Sequence, residues 1–224
     1  MSKSVSAVAV SIERTFFNRV YAWMTVALFL TAAAAIYVVS SPTMTTLIFS
    51  NPFLLFGLVI IELIMVGVLV GAIQKMSLST ATGVFVGYSV LNGVTLAGLL
   101  LVYTGSSVGL AFLVTALTFG AMTIYGYKTK ADLTELGKLM FMGLIGIIIA
   151  SVVNIFLHSP MIDWLVSYVG VGVFIGLTAF DTQKLKMMFA QIEGDEAMVQ
   201  KYALIGALTL YLDYEYLTHL GCNR

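Results

Sequence analysis

Two aspartates carry the most distinctive chemistry in this chain. Asp181 closes an apolar stretch, Gly176-Leu-Thr-Ala-Phe-Asp181, and stands just before Lys184 and Lys186. Asp213 lies within the next apolar stretch, which opens near Ala203. A third acid, Glu62, falls near the middle of an earlier one, Pro52 to Ile73. A charged side chain in hydrocarbon costs roughly 2.5–3.5 kcal/mol on insertion scales. No lysine or arginine lies inside these stretches to neutralise the acids. Asp213 and Glu62 therefore have three states open to them: protonated, sharing a proton with another carboxyl, or holding a cation. Paired carboxyls titrate as a unit, which makes them a pH-sensitive element. Hard oxygen ligands of this kind also suit Ca2+ better than softer metals. Asp181 has a plainer reading as well, that of an interfacial residue one helical turn from Lys184.

The elements that must position these acids are membrane helices. Of the 224 residues, 60% are hydrophobic and only 10% charged, where a soluble domain carries about a quarter charged. One small core cannot absorb so much apolar surface, whereas a bilayer can. Lysine plus arginine balances aspartate plus glutamate, eleven against eleven, so no net field steers nucleic acid. The single cysteine, Cys222, excludes an internal disulfide and a cysteine metal cluster, and two histidines do not make a zinc site.

Seven stretches approach the ~20 residues that cross a bilayer. They run from about Val20 to Val39, Pro52 to Ile73, Thr80 to Tyr103, Val108 to Tyr125, Leu139 to Leu157, Trp164 to Phe180 and Tyr202 to Leu220. The seventh is the least apolar. Residues 1–19 lack the pattern of a removable signal peptide and are read as a cytoplasmic N-terminal segment. Residues 20–220 then form a single transmembrane domain, and 221–224 a tail. Every lysine and arginine except Arg224 falls on one side of this arrangement, which places the N-terminus in the cytoplasm.

Polar residues inside the spans recur at helical spacing. Tyr88, Ser89, Asn92 and Thr95 form one stripe, and Ser151, Asn154 and His158 another. Such stripes are expected to face inward, either as hydrogen bonds between helices or as the lining of a path. Asn92 and Asn154 join Glu62 as candidate pore-lining or cation-interacting residues. Small residues four apart, Gly67/Gly71, Gly83/Gly87, Gly172/Gly176 and Ala203/Ala207, are expected where helices approach closely.

Geometry poses a difficulty for the aspartates. If Lys184 and Lys201 both mark the membrane surface, Asp181 lies about 5 Å deep and Asp213 about 18 Å, at 1.5 Å per residue. They meet only if the sixth helix runs on past Lys186, with its lysines snorkelling, or the seventh begins well below the surface.

The stretches Gly176 to Lys186 and Gly206-Ala-Leu-Thr-Leu-Tyr-Leu-Asp213 resemble the sixth- and seventh-helix signatures of the Bax inhibitor-1 family, in the style of its bacterial members. Thr118-Phe-Gly-Ala-Met122, Tyr125-Gly-Tyr-Lys-Thr-Lys130 and Phe141-Met-Gly-Leu-Ile-Gly146 share the resemblance, which runs from about Arg14 to Asp213. It implies an all-α membrane protein of seven transmembrane helices, six surrounding a central, less hydrophobic C-terminal helix. It also implies a pH-dependent calcium leak, with Asp181 and Asp213 as the pH-sensing, gating pair and Glu62 as the acid of the second helix. Eukaryotic relatives are linked to suppression of cell death, and some bacterial relatives to modulation of a membrane-bound protease. Two features depart from the family pattern. Gly71-Ala-Ile-Gln-Lys-Met-Ser77 has no arginine where many members carry one, leaving Lys75 as the substitute. Past Asp213 the chain is short and polar where relatives continue apolar.

The expectation is thus a calcium leak channel of a bacterial inner membrane, with Ca2+ the transported or transiently bound ion at Asp181 and Asp213 and no cofactor. The alternative is a non-transporting regulator that binds a membrane protease or a stress partner. An enzyme is not expected, since no Gly-x-Ser-x-Gly elbow or serine–histidine pairing is evident.

Overall fold

A computed structural model describes residues 2–190 and 196–222, with side chains from residue 12 onward. Among the described residues the chain forms helices and no strand. They are α1 (Ser2–Ser40), α2 (Pro42–Phe49), α3 (Pro52–Ala72), α4 (Leu78–Val102), α5 (Gly105–Lys128), α6 (Thr134–Leu157), α7 (Pro160–Ala190) and α8 (Glu196–Cys222).

The boundaries have local causes. Ser41 and Asn51 stand just outside α2 and α3, each followed by a proline at the first helical position, where its missing N–H costs nothing. The Asn51 side chain accepts from the N–H groups of Phe53 and Leu54. Ser77 caps α4 by accepting from Thr80 N at 3.1 Å. α6 ends at His158, which takes the left-handed conformation with φ of 50°.

Six helices are long and apolar enough to cross a membrane: Ile12–Ser40, Pro52–Ala72, Leu78–Val102, Gly105–Lys128, Thr134–Leu157 and Pro160–Ala190. They match the first six expected spans. The seventh stretch is also helical, within α8, but does not reach that apolarity. Thr209, Asp213, Glu215, Thr218 and His219 lower it, while Ala203, Leu204, Ala207, Leu208, Leu210 and Tyr211 are packed against protein rather than presented outward. α3 shows the opposite extreme, with Phe53, Phe56, Leu63 and Ile64 exposed as a lipid-facing surface would be. α1 runs from Ser2, so residues 2–19 continue into the first span as one helix. α2 is an addition that the sequence did not announce, because eight residues give too short a period to recognise.

The chain divides into two compact units, Met1–Thr104 with Met188–Tyr211, and Gly105–Met187 with Leu212–Arg224. In the first, α1 packs along α4, and α4 along α3. Ala35, Val38, Ile48 and Ala97 form a core there that takes in α2. Gly93 permits the approach of α1 and α4, since a Cβ at that position would run into the backbone of Thr31 and lie 2.8 Å from the Cβ of Ala34. In the second, Val173, Phe174 and Leu177 of α7 pack with Leu217 and Leu220 of α8. Gly126 of α5 lies against the carbonyl of Ala179 on α7 with no room for a side chain. The glycine spacings do not all mark such contacts. Gly67, Gly71, Gly83 and Gly172 face open space, because spacing alone does not say which stripe of a helix meets a neighbour.

Candidate functional site

Asp181 and Asp213 come together in the second unit. α7 does not stop near Phe180 but continues to Ala190, which is the first of the two arrangements that let the aspartates meet. Their side chains are hydrogen-bonded to one another. An ionised carboxylate only accepts, so a hydrogen bond between two carboxyls requires a proton on one of them. Asp213 is 4% exposed, deep enough for solvent screening to be lost. Its Oδ2 is buried and has no hydrogen-bond partner. Lys184, one turn along α7, attracts Asp181 electrostatically.

The surroundings leave the pair to itself. Thr178 and Thr182, both buried beside Asp181 on α7, donate their hydroxyls back to the carbonyls of Phe174 and Thr178, at 2.8 and 2.7 Å. Neither hydroxyl proton is then available to a carboxylate. The α8 side of the pair is set by aromatic packing. Tyr214 donates to the carbonyl of Phe112 at 3.2 Å and meets Phe119 edge to face at 5.6 Å. Tyr216 stacks on Phe174 with ring centres 5.1 Å apart. A wall of rings and back-bonded threonines thus holds two acids against each other. That arrangement can store, share and release protons without a basic partner in direct contact.

The other candidate residues have different company. Glu62 is half-buried in the first unit and accepts from Thr95 Oγ1 at 2.8 Å. Asn92 is buried in the same unit. Its Nδ2 donates to the hydroxyls of Tyr88 and Tyr211, at 3.2 and 3.0 Å. The Tyr211 hydroxyl also meets Thr31 Oγ1 at 2.6 Å, and Thr31 donates to the carbonyl of Ser89 at 2.9 Å. Asn154 staples the turn between α6 and α7: its Nδ2 donates to Asp163, and its Oδ1 accepts from Ser159 N at 2.8 Å. It lines an open pocket of about 410 Å3 with Ser151, His158 and Asp163. Of that stripe only Asn154 is buried, while Ser151 and His158 are exposed.

Tyr211, Thr31 and Asp163 were not singled out from the sequence. A tyrosine between leucines reads as one more apolar position, and a lone threonine in a long span gives no period. Tyr211 stands two residues before Asp213, so only its spacing from the aspartate could have drawn notice. Among the described residues no group of three or more histidines, cysteines or acids gathers that could hold a metal. A Ca2+ ion, which takes about six to eight oxygens, would find two carboxyls at the pair and draw the rest from water or backbone.

Known proteins resemble this chain over most of its length. A family model described as Inhibitor of apoptosis-promoting Bax1 matches residues 13–217. The chain is 50% identical over 202 residues to the inner membrane protein YbhL of Escherichia coli strain K12, covering 90% of this chain and 86% of that protein. It is 38% identical over 203 residues to an uncharacterized protein of Borreliella burgdorferi, covering 91% and 88%. An uncharacterized membrane protein of Streptococcus pyogenes is 36% identical over 202 residues, covering 89% and 86%. With its apolar helices and this likeness to an inner membrane protein, the chain is an integral membrane protein, and it belongs to the Bax inhibitor-1 family.

Proposed function

We propose that the protein is a pH-dependent calcium leak channel in which Asp181 and Asp213 form a proton-sharing gate. The observation that carries this reading is the hydrogen bond between two carboxyls in an apolar setting. With one shared proton the pair carries a single negative charge. A second proton makes it neutral. Loss of the shared proton leaves two like charges in contact, which repel strongly at low local dielectric. Each state favours a different spacing of α7 and α8, so proton number sets helix packing. Glu62 and Asn92 offer further oxygens to a cation in the first unit. In this reading α8 crosses the bilayer as the seventh, central helix, the N-terminus is cytoplasmic, and the membrane is a bacterial inner membrane.

Purified protein in liposomes, loaded with a Ca2+ dye and scanned across pH, tests the gate. Flux through the native protein is expected to vary with pH. Asp213→Asn keeps the shape but cannot titrate, and is expected to give flux that no longer follows pH. An unaltered pH profile in that variant would sink the gate assignment. The family description, which names an inhibitor of a cell-death protein, favours a second reading as a non-transporting regulator of a membrane partner. Absence of flux from pure protein at every pH, with a membrane protein co-purifying, supports that reading instead.

A further inference from the structure

Away from the aspartates, the second unit carries a patch of positive charge at one end. The loop from Thr129 to Leu133 is laced to α7. Leu133 N donates to Gln183 Oε1 at 2.9 Å, and Gln183 Nε2 donates to the carbonyl of Ala131 at 2.8 Å. Lys186 Nζ donates to the carbonyl of Tyr127 at 3.3 Å and lies 4.7 Å from the centre of that residue's ring. These bonds bring Lys128 and Lys130, on and beside the end of α5, to the same end as Lys184 and Lys186 on α7. All four are exposed.

The local acids do not neutralise them. Among the described residues the ion pairs are Arg19 with Glu196 and Lys138 with Glu135. Asp132, within the loop, is turned to Thr134, accepting from its N at 2.9 Å and its Oγ1 at 2.6 Å. Lys186 spends one of its three protons on a carbonyl of the last turn of α5, where the helix dipole is negative, and keeps two. Lys184 feels the half-buried Asp181 but remains exposed.

Position and neighbours select the counter-charge. The patch lies at the end of one apolar helix, at Lys128, and in the last turns of another, which runs on to Ala190. Next to it, Ile124, Tyr125, Leu139 and Phe141 present exposed apolar side chains. A ligand that fits both surfaces has an anionic head and acyl chains. Clusters of four or more basic residues flanking a membrane helix bind acidic lipids in this way. We propose that Lys128, Lys130, Lys184 and Lys186 bind the phosphate of an anionic phospholipid whose chains lie along α5 and α6.

Native mass spectrometry of the full chain, released from micelles doped with phosphatidylglycerol or phosphatidylcholine, reads retained lipid directly. Phosphatidylglycerol is expected to be retained and phosphatidylcholine lost. The double variants Lys128→Gln/Lys130→Gln and Lys184→Gln/Lys186→Gln are each expected to bind it more weakly, by about fivefold for each lysine removed. The corresponding arginine variants should restore retention, which a merely folding-related defect would not do. Lys75→Gln, at a lysine of the first unit, should leave retention unchanged. Equal retention of both lipids, or native retention in the glutamine variants, would overturn the site. So would displacement of the lipid by millimolar inorganic phosphate, which would assign the lysines to a soluble anion. The readout is binding, so it stands whatever the flux assay returns.

Discussion

The two compact units bury polar groups in different ways. In the first, Thr31, Ser89, Asn92, Tyr88 and Tyr211 form a network of hydroxyls, an amide and a carbonyl. That network contains no carboxyl, imidazole or amine. In the second, the central polar feature is a pair of acids with few partners beyond each other. α8 supplies Tyr211 to one and Asp213 to the other, two residues apart. The contrast sets a satisfied neutral network and an acid pair two residues apart on one helix. A satisfied neutral network is locked, because breaking it leaves donors unpaired in a medium without water. An acid pair whose charge depends on proton count has no single best geometry.

The comparison can be broken most severely through packing. Gly126→Leu places a side chain against the Ala179 carbonyl, two residues from Asp181, and is expected to destabilise the second unit by about 3 kcal/mol, at the upper end of overpacking costs. Thermal unfolding in detergent measures this, and a change below about 0.5 kcal/mol would show that α5 and α7 can part freely.

Tyr211→Phe is expected to cost about 1 kcal/mol, since it removes one hydrogen bond each from Asn92 and Thr31, and membrane hydrogen bonds average somewhat less than that. The cost should be the same at pH 5 and pH 8. A cost that changes with pH would contradict the neutral network. Asp213→Asn sharpens the other half: the variant is expected to lose any pH dependence of stability that the pair confers, while Tyr211→Phe retains it. Parallel melts of the three proteins across pH decide this.

The smallest effect lies outside the membrane spans. Hydrogen bonds from Thr134 Oγ1 and N hold the Asp132 carboxyl below its usual value of 3.8. A depressed folded-state value stabilises above the unfolded value and is lost as pH falls through the folded one. Asp132→Asn should therefore be slightly less stable at neutral pH and match the native protein only in acid below that depressed value. A difference that persists unchanged into strong acid would rule the linkage out.

Much of this was legible in the sequence because bilayers impose simple rules. Six spans appeared as apolar runs ended by Pro42, Lys75, Gly105 and Pro160, and the acids stood out against hydrocarbon. The meeting of Asp181 and Asp213 was visible only as a condition, that the sixth helix outrun Lys186, and α7 meets it. What stayed hidden depends on rotation about helix axes. The stripe on α4 turned inward, whereas in the stripe on α6 only Asn154 did, and it staples a turn. Glycine spacing anticipated Gly176, which abuts Met140, yet missed Gly93 and Gly126, whose partners come from distant sequence. The pairing of Tyr211 with Thr31 spans most of the chain, and no local pattern encodes it.

Cys222, the only cysteine, is 5% exposed in the last turn of α8. A thiol so covered reacts with a bulky reagent only during moments when its helix end opens. Its labelling rate is therefore a clock for that opening, already present in the native chain. Changes at Asp181 or Asp213 that loosen the end of α8 would be read as faster labelling, with no engineered probe and no membrane potential or ion gradient required.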